Sequence, residues 1–329
     1  MDGWPVIALG VADGGVPVWE VVDGPFMANA WGTRRYPPGP GGLWVDSGGF
    51  QILMRGLRLG VGELLERYRG VEAEYYLSLD VPPGPGRPCD RGLLEANISN
   101  YEELRSRVEW GEVVPVVHVC EPGLLAEAVD SYRELGARVL AVGGSVPGLL
   151  NRGVKRVATL VALAAARRLW RGPLHVLGAG SPVMSAIVGA LGADSADTTS
   201  WRSKAAYGKI ILPGAGERYV GGRRIRYGPL YAKPRELEAL QRFLEATGFP
   251  LLDGRGLDGL LSTFQGRALV NAWVLRHSRW RPRRGGFAWL YRAAQRVAAM
   301  SLDELAQAYE LASTGRWREA LGSAPATGD

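Results

Sequence analysis

The chain has 329 residues, enough for one large α/β barrel or two ordinary domains. With 47% hydrophobic and 22% charged residues it has the balance of a globular protein with a sizeable core, and its two cysteines, Cys89 and Cys120, exclude a disulfide scaffold and a thiolate-rich zinc site. The formal net charge is +6, carried almost wholly by arginine, Lys155, Lys204, Lys209 and Lys233 being the only lysines. Arginine suits bidentate phosphate contacts, so a nucleic-acid partner fits the bias, although a GC-rich coding sequence would produce it too.

The opening Met-Asp-Gly-Trp-Pro has no basic stretch followed by an apolar one, and no apolar segment reaches the roughly 18 residues a membrane span needs. A cytosolic (cytoplasmic) protein is expected. Val6–Leu9 reads as a first strand. From Leu43 to Thr199, short apolar runs alternate with amphipathic segments. The predicted strands are Leu43–Asp46, Tyr75–Asp80, Val113–Val119, Val139–Gly143, Leu174–Gly178 and Ala193–Asp197. The predicted helices are Val61–Arg69, Arg91–Trp110, Gly123–Leu135, Val154–Trp170 and Pro182–Leu191, the last with Ser181 as cap and proline at its first position.

This alternation predicts a parallel sheet with right-handed crossovers, best satisfied by an α/β (β/α)8 TIM barrel. Seven of the eight strands are accounted for, and Lys209–Leu212 is the candidate for the eighth. A doubly wound open sheet is the alternative, but no Gly-x-Gly-x-x-Gly follows the first strand. Arg218–Tyr227 then reads as a hairpin turning at Gly221-Gly222. Helices follow at Arg235–Thr247, Leu257–His277, Phe287–Ala299 and Leu302–Leu311. The division expected is a barrel over residues 1–231 and a helical C-terminal part over 232–329.

The chemistry-bearing signal is a pair of acids that each end an apolar run. One lies in Leu43-Trp-Val-Asp46-Ser47-Gly48-Gly49-Phe50-Gln51, the other in Gly192-Ala-Asp194-Ser-Ala-Asp197-Thr-Thr. Strand, carboxylate, then glycine-rich turn is how a parallel barrel delivers catalytic groups to the C-terminal rim of its strands. Two carboxylates on one rim can divide labour as nucleophile and general acid/base. Asp194 and Asp197 are three positions apart and so face opposite ways on an extended strand. His118 reads either as a ligand contact or as a satisfied core histidine, His175 as structural, and His277 as a cation at a helix C-terminus. Cys89 and Cys120 read as ordinary thiols.

Asp46-Ser-Gly-Gly-Phe-Gln, Leu79-Asp80-Val-Pro-Pro, Ala141-Val-Gly143-Gly144, Leu177-Gly178-Ala-Gly180 and Asp194-Ser-Ala-Asp197 together resemble the tRNA-guanine transglycosylase superfamily, in the same order, over roughly Trp4 to Tyr231. That family, of queuosine and archaeosine synthesis, is a transferase (a pentosyltransferase) group. It uses a (β/α)8 barrel to exchange a guanine in nucleic acid for a 7-deazaguanine. The resemblance implies Asp197 as the nucleophile on the ribose C1′ and Asp46 as the general acid/base. It implies Asp80 for the guanine Watson–Crick edge, with Ser47, Gly143 and Gly144 on the opposite edge. Phe50 and Leu177, beside Gly178, would sandwich the base, a stack worth on the order of 1–3 kcal/mol.

The chain departs from the family pattern at two places. His118 stands where the family commonly has a base-reading glutamine, offering one donor for two. The three cysteines and one histidine of the family's structural zinc site are missing, so no cofactor and no zinc are expected. The chain is also short for the extra RNA-binding domains of archaeal members, and in these losses it resembles the paralogues that insert 7-deazaguanines into DNA. The partners implied are tRNA or DNA and a 7-deazaguanine base such as preQ0, with a homodimer left open. Phosphate contacts are expected from Arg202 and Lys204, from Arg218, Arg223, Arg224 and Arg226, and from the cluster Arg276, Arg279, Arg281, Arg283 and Arg284 around Trp280. The rival readings are a non-catalytic nucleic-acid-binding subunit that keeps the barrel and a barrel hydrolase acting on small nucleosides or sugars.

Overall fold

The computed structural model describes residues 4–11, 16–39, 41–49, 59–83, 89–150, 154–221, 230–282 and 285–322. Its short apolar runs become parallel strands: β1 (Val6–Gly10), β2 (Phe26–Asn29), β3 (Leu43–Asp46), β4 (Tyr75–Leu77), β5 (Glu112–Val114), β6 (Val116–His118), β7 (Leu140–Gly143), β8 (Leu174–Val176) and β9 (Ser195–Thr198). They lie in the order β5-β4-β3-β2-β1-β9-β8-β7-β6.

The two outer members of that order are halves of one run of chain, separated only by Pro115. The Val114 carbonyl accepts from Ser78 N–H at 2.8 Å on one side, and the Pro115 carbonyl accepts from Ala141 N–H at 3.0 Å on the other. Proline has no N–H to place in either ladder, so the ladder changes sides at the one residue that loses nothing by it. With β5 and β6 counted as one strand, eight positions follow in chain order around the sheet. The architecture is a (β/α)8 barrel.

Helices cover the outside. Helix α1 (Val61–Tyr68) joins β3 to β4, α2 (Arg91–Arg105) joins β4 to β5, and α3 (Pro122–Glu134) joins β6 to β7. Helices α4 (Ser145–Leu150) and α5 (Val154–Leu169) join β7 to β8, and α6 (Pro182–Ala190) joins β8 to β9. Helix α1 shows why these segments pack: Val61, Leu64, Leu65 and Tyr68, at i, i+3, i+4 and i+7, are its buried stripe. Tyr68 sends its hydroxyl under the sheet to donate to the Leu77 carbonyl at 2.6 Å. The barrel lumen is filled by Ala8, Met27, Trp44, Leu77, Val114, Val116, Val139 and Ala141.

After β9 come α7 (Ser200–Ala206) and a two-stranded antiparallel sheet of β10 (Lys209–Leu212) and β11 (Gly216–Tyr219). Helices α8 (Pro234–Ala246), α9 (Leu252–Ser262), α10 (Phe264–His277), α11 (Gly285–Ala298), α12 (Leu302–Ser313) and α13 (Trp317–Ala320) complete the chain. Helix α10 packs on α7 and β10, α11 on α6, and α12 on α5. That cover explains why α5 is apolar nearly all round, with Val157, Leu160, Val161, Leu163, Ala164 and Ala165 all buried. Buried Asn271 of α10 fastens the helix down. Its amide donates to the Trp201 and Lys209 carbonyls at 3.0 and 3.1 Å, and its oxygen accepts from Ile211 N–H at 2.6 Å. Among the described residues no helix is long and apolar enough to cross a membrane.

Four expectations are corrected. The eighth barrel strand is Phe26–Asn29, and Lys209–Leu212 is outside the barrel, because it bonds to β11. The hairpin turns at residues 213–215 with Arg218 in its second strand; the proposed Gly221-Gly222 turn and the residues beyond it fall partly outside the described residues. The helix expected at Leu257–His277 is two helices broken at extended Thr263, whose hydroxyl accepts from Gly266 N–H and caps the second. Cys89 and Cys120 are disulfide-bonded, with Cα atoms 5.8 Å apart. They meet because the segment entering α2 and the turn leaving β6 lie side by side at one rim, a proximity that only barrel closure creates.

Candidate active site

The parallel barrel puts the C-terminal ends of all its strands at one rim, and the sequence loads that rim with polar groups. Asp46 is the last residue of β3. Its Oδ2 accepts from the Asn29 amide at 3.0 Å, Asn29 being the matching last residue of β2, and its carboxylate also accepts from Gly48 N–H. Asn29 is itself fixed, because its oxygen takes the N–H groups of Trp31 and Gly32 at 2.9 and 3.1 Å. Burial and the nearby charges of Asp80 and Asp197 push the Asp46 carboxyl up to about 7 against the two hydrogen bonds. Asp46, Asp80 and Asp197 therefore share one electrostatic environment.

Asp80 follows β4 and is almost wholly buried. Its Oδ1 accepts from the Ser47 hydroxyl at 2.9 Å, and its Oδ2 lies 3.2 Å from His118 Nε2 at the end of β6. Neither ring nitrogen of His118 makes a well-aligned hydrogen bond within the described chain, although the side chain is only 4% exposed. Nδ1 looks toward β7, where a Cβ on Gly143 would stand 3.0 Å from it. The lack of a side chain on Gly143 thus leaves room for the buried ring. Gly49 is equally constrained, since a Cβ there would come within 2.4 Å of both the Asp80 carbonyl and its Oδ1. The Asp80 turn is held from outside by α2: Asn97 exchanges hydrogen bonds with both backbone groups of Val81, and Asn100 donates to the Leu79 carbonyl.

Asp197 lies in β9, its side chain 13% exposed. Gly178, in the left-handed region at φ +71°, turns the chain after β8 so that its N–H donates to Asp197 Oδ1 at 2.6 Å. His175 Nε2 approaches the same oxygen at 3.3 Å. Asp194 is at the opposite end of the strand, where its Oδ2 takes Arg167 and Leu174 N–H, both at 2.9 Å. It closes the barrel floor and is remote from the rim. Leu177 packs on the edge of the lumen cluster.

Phe50 and Gln51 lie outside the described residues, as do Arg223, Arg224, Arg226, Arg283 and Arg284. Lys204 on α7 is ion-paired with Glu217 at 2.9 Å, and Arg218 with Glu236 at 2.9 Å. Arg276 points inward to the Pro25 carbonyl at 3.2 Å and is largely buried, a structural placement. Arg202 sits beside Lys204 on α7, the helix that follows Asp197.

The family resemblance carries a structural zinc, and these residues do not fit one. Both cysteines are consumed by the disulfide, and among the described residues no group of three His, Cys, Asp or Glu side chains could hold a metal ion.

Sequence reasoning missed three site residues. Asn29 is the neighbour that orients Asp46; its signal was a short apolar run ending in a polar residue, the pattern that located Asp46 itself. His175 and Ser195 were the others. Residues 175 and 177 share a strand face, as do 195 and 197, so alternation places both missed residues on the faces that carry Leu177 and Asp197.

No family model matches the chain. It is 30% identical to the uncharacterized protein 306 of Sulfolobus islandicus rod-shaped virus 1 over 275 residues, covering 82% of each. It is 29% identical over 187 residues to the tRNA-guanine(15) transglycosylase of Aeropyrum pernix, covering 55% of this chain and 36% of that protein. With the enzyme of the same name from Haloarcula marismortui it shares 29% over 167 residues, 49% of this chain and 34% of that protein. The chain thus spans about a third of the length of these two transglycosylases. It belongs to one family with the viral protein 306 and is a distant homologue of the tRNA-guanine(15) transglycosylases.

Proposed function

We propose that this protein exchanges a guanine in a polynucleotide for a 7-deazaguanine through a glycosyl-enzyme on Asp197. The observation that carries the reading is the sharing of one rim by Asp46, Asp80 and Asp197, with Asp46 raised to about 7 by burial and by the other two charges. A carboxyl that titrates near neutrality can give a proton and take one back in the same cycle. In the first displacement an Asp197 oxygen bonds to C1′ as the C1′–N9 bond breaks, and the guanine leaves with that electron pair and a proton from Asp46. In the second, Asp46 takes the N9 proton of the incoming base, whose nitrogen displaces Asp197 from C1′. Two displacements retain configuration.

Base reading falls to the Ser47–Asp80–His118 chain. The Ser47 hydroxyl holds one Asp80 oxygen and His118 Nε2 lies 3.2 Å from the other, leaving remaining lone pairs to accept from N1–H and the exocyclic amine, a donor pair that adenine lacks. Gly143 and Gly144 let backbone approach a flat ligand edge-on, and Leu177 with Gly178 forms the wall between the base and Asp197. Phe50 is proposed for the opposite wall. Arg202 and Lys204 are proposed to meet phosphate, Lys204 by exchanging Glu217 for it.

The test is exchange of labelled guanine, offered separately with bulk tRNA, single-stranded DNA and duplex DNA. Label should enter one polymer class, and Asp197→Asn should abolish both label and covalent adduct while folding persists. A folded wild-type protein that labels none of the three ends the proposal in favour of a silent binding subunit.

A further inference from the structure

His175 is fully buried in the barrel wall, yet both its ring nitrogens are engaged by polar side chains of the neighbouring strand. Nδ1 lies 2.8 Å from Ser195 Oγ, and Nε2 lies 3.3 Å from Asp197 Oδ1. The ring stacks on Trp44 across the lumen at 4.5 Å, and Trp44 stacks on Tyr75 at 4.2 Å. A ring held on one face by an indole and on both edges by hydrogen-bonding partners has little freedom to rotate.

The tautomer follows from the partners. An ionised Asp197 can only accept, so Nε2 must carry the proton. In the neutral ring Nδ1 is then a bare acceptor, to which the Ser195 hydroxyl donates. Ser195 therefore fixes the form in which His175 faces Asp197, as a partner on the remote nitrogen does for other orienting histidines.

Two donors, His175 Nε2–H and Gly178 N–H, thus converge on the single oxygen Oδ1 of Asp197. No described group donates to Oδ2 in the same way. We propose that His175 is a positioning residue that pins Oδ1 and presents Oδ2 as the oxygen that bonds to C1′, with Ser195 setting its tautomer. This rests on Asp197 being the nucleophile. In the first displacement an Oδ2 lone pair forms the C1′–O bond while the C1′–N9 pair leaves with guanine. Oδ1 becomes the ester carbonyl oxygen, still held by both donors. When the incoming base displaces the ester, Oδ2 recovers its electron pair and the carboxylate returns to the same orientation. Fixing which oxygen attacks matters because misplacement by about 1 Å can cost about 10²-fold in rate.

The experiment is single-turnover formation of the covalent adduct with a guanine-containing strand, alongside strand affinity and thermal midpoint, for wild type, His175→Phe, His175→Gln and Ser195→Ala. Phenylalanine keeps the ring on Trp44 and removes both hydrogen bonds; glutamine places an amide N–H near the Nε2 position. His175→Phe should form adduct about 10²-fold more slowly at unchanged affinity, and His175→Gln should recover to within about 10-fold of wild type. Ser195→Ala, which frees the tautomer, should slow adduct formation about 10-fold with its thermal midpoint kept, and it tests the idea even if His175→Phe does not fold. His175→Phe or Ser195→Ala reacting within threefold of wild type would overturn the positioning role while leaving the proposed function standing. Equal slowing in the Phe and Gln variants would also overturn it, since then packing and not the donor matters. A wild-type protein that forms no adduct sinks the nucleophile assignment, and this proposal with it.

Discussion

Asp46 is raised from its ordinary 3.8 to about 7 in the folded protein, and that displacement has a measurable consequence for stability. Between those two values the folded chain holds a proton on Asp46 that the unfolded chain has released. Stability contributed at this site therefore falls as pH rises from about 4 to about 7, and is flat above. About three pH units at 1.36 kcal/mol each set a ceiling of roughly 4 kcal/mol. Part of the side chain faces the open barrel mouth, so screening brings the expected value to about 2 kcal/mol. Asp46→Asn removes the titration and keeps the shape. The hydrogen bonds from Asn29 and Gly48 favour the ionised carboxyl and are already contained in the net upward shift. Urea unfolding of both proteins at pH 5 and pH 8 should show the variant gaining about 1.3 kcal/mol on wild type between the two, because only about two of the three units lie above pH 5. A difference that stays constant across that range would refute the claim that burial and the two neighbouring carboxylates hold Asp46 near neutrality.

Two further outcomes test the scaffold. Reduction of the Cys89–Cys120 bond, or Cys120→Ser, should lower the unfolding free energy by about 3–4 kcal/mol, the loop-closure entropy for a separation of 31 residues, read from urea curves with and without reductant. Asn271→Leu keeps the volume but strips partners from Ile211 N–H and from the Trp201 and Lys209 carbonyls, so it should cost about 2–4 kcal/mol in the same assay.

Much of the barrel was legible because parallel strands buried on both faces are short apolar runs, and each has a glycine, a carboxylate or a histidine within three residues of its C-terminal end. Phe26–Asn29 escaped because Gly24-Pro25 before it and Trp31-Gly32 after it read as one long loop. Lys209–Leu212 looked like a barrel strand because pairing direction leaves no trace in four residues. Asp46, Asp80 and Asp197 were readable as strand-end carboxylates. Asp194 was a credible rival until the fold put it on the floor with Arg167. The disulfide was not readable at all, since two cysteines 31 residues apart become neighbours only when the chain leaving β4 and the chain leaving β6 reach the same rim side by side. His175 was passed over for a different reason: a histidine alternating with valines is usually core, and only the identity of its neighbours on β9 distinguishes the two cases.

Those neighbours also explain how the two outer acids hold their places. Trp44 precedes Asp46 by two positions on β3 and so shares its inward face. The Trp44 ring lies against His175, and His175 reaches Asp197. A rigid stack of Tyr75, Trp44 and His175 thus crosses the lumen directly beneath the rim, from the strand that carries one carboxylate to the strands that hold the other. The environments it joins are opposite in kind. Asp46 lies where burial and two like charges favour the neutral acid, whereas Asp197 lies where two N–H groups meet one oxygen. The proposed exchange, in which one carboxyl passes a proton while the other bonds to C1′, needs the two kept at a set separation. A close-packed aromatic layer does that better than rim loops could, because a dense interior shifts only by breaking many contacts at once.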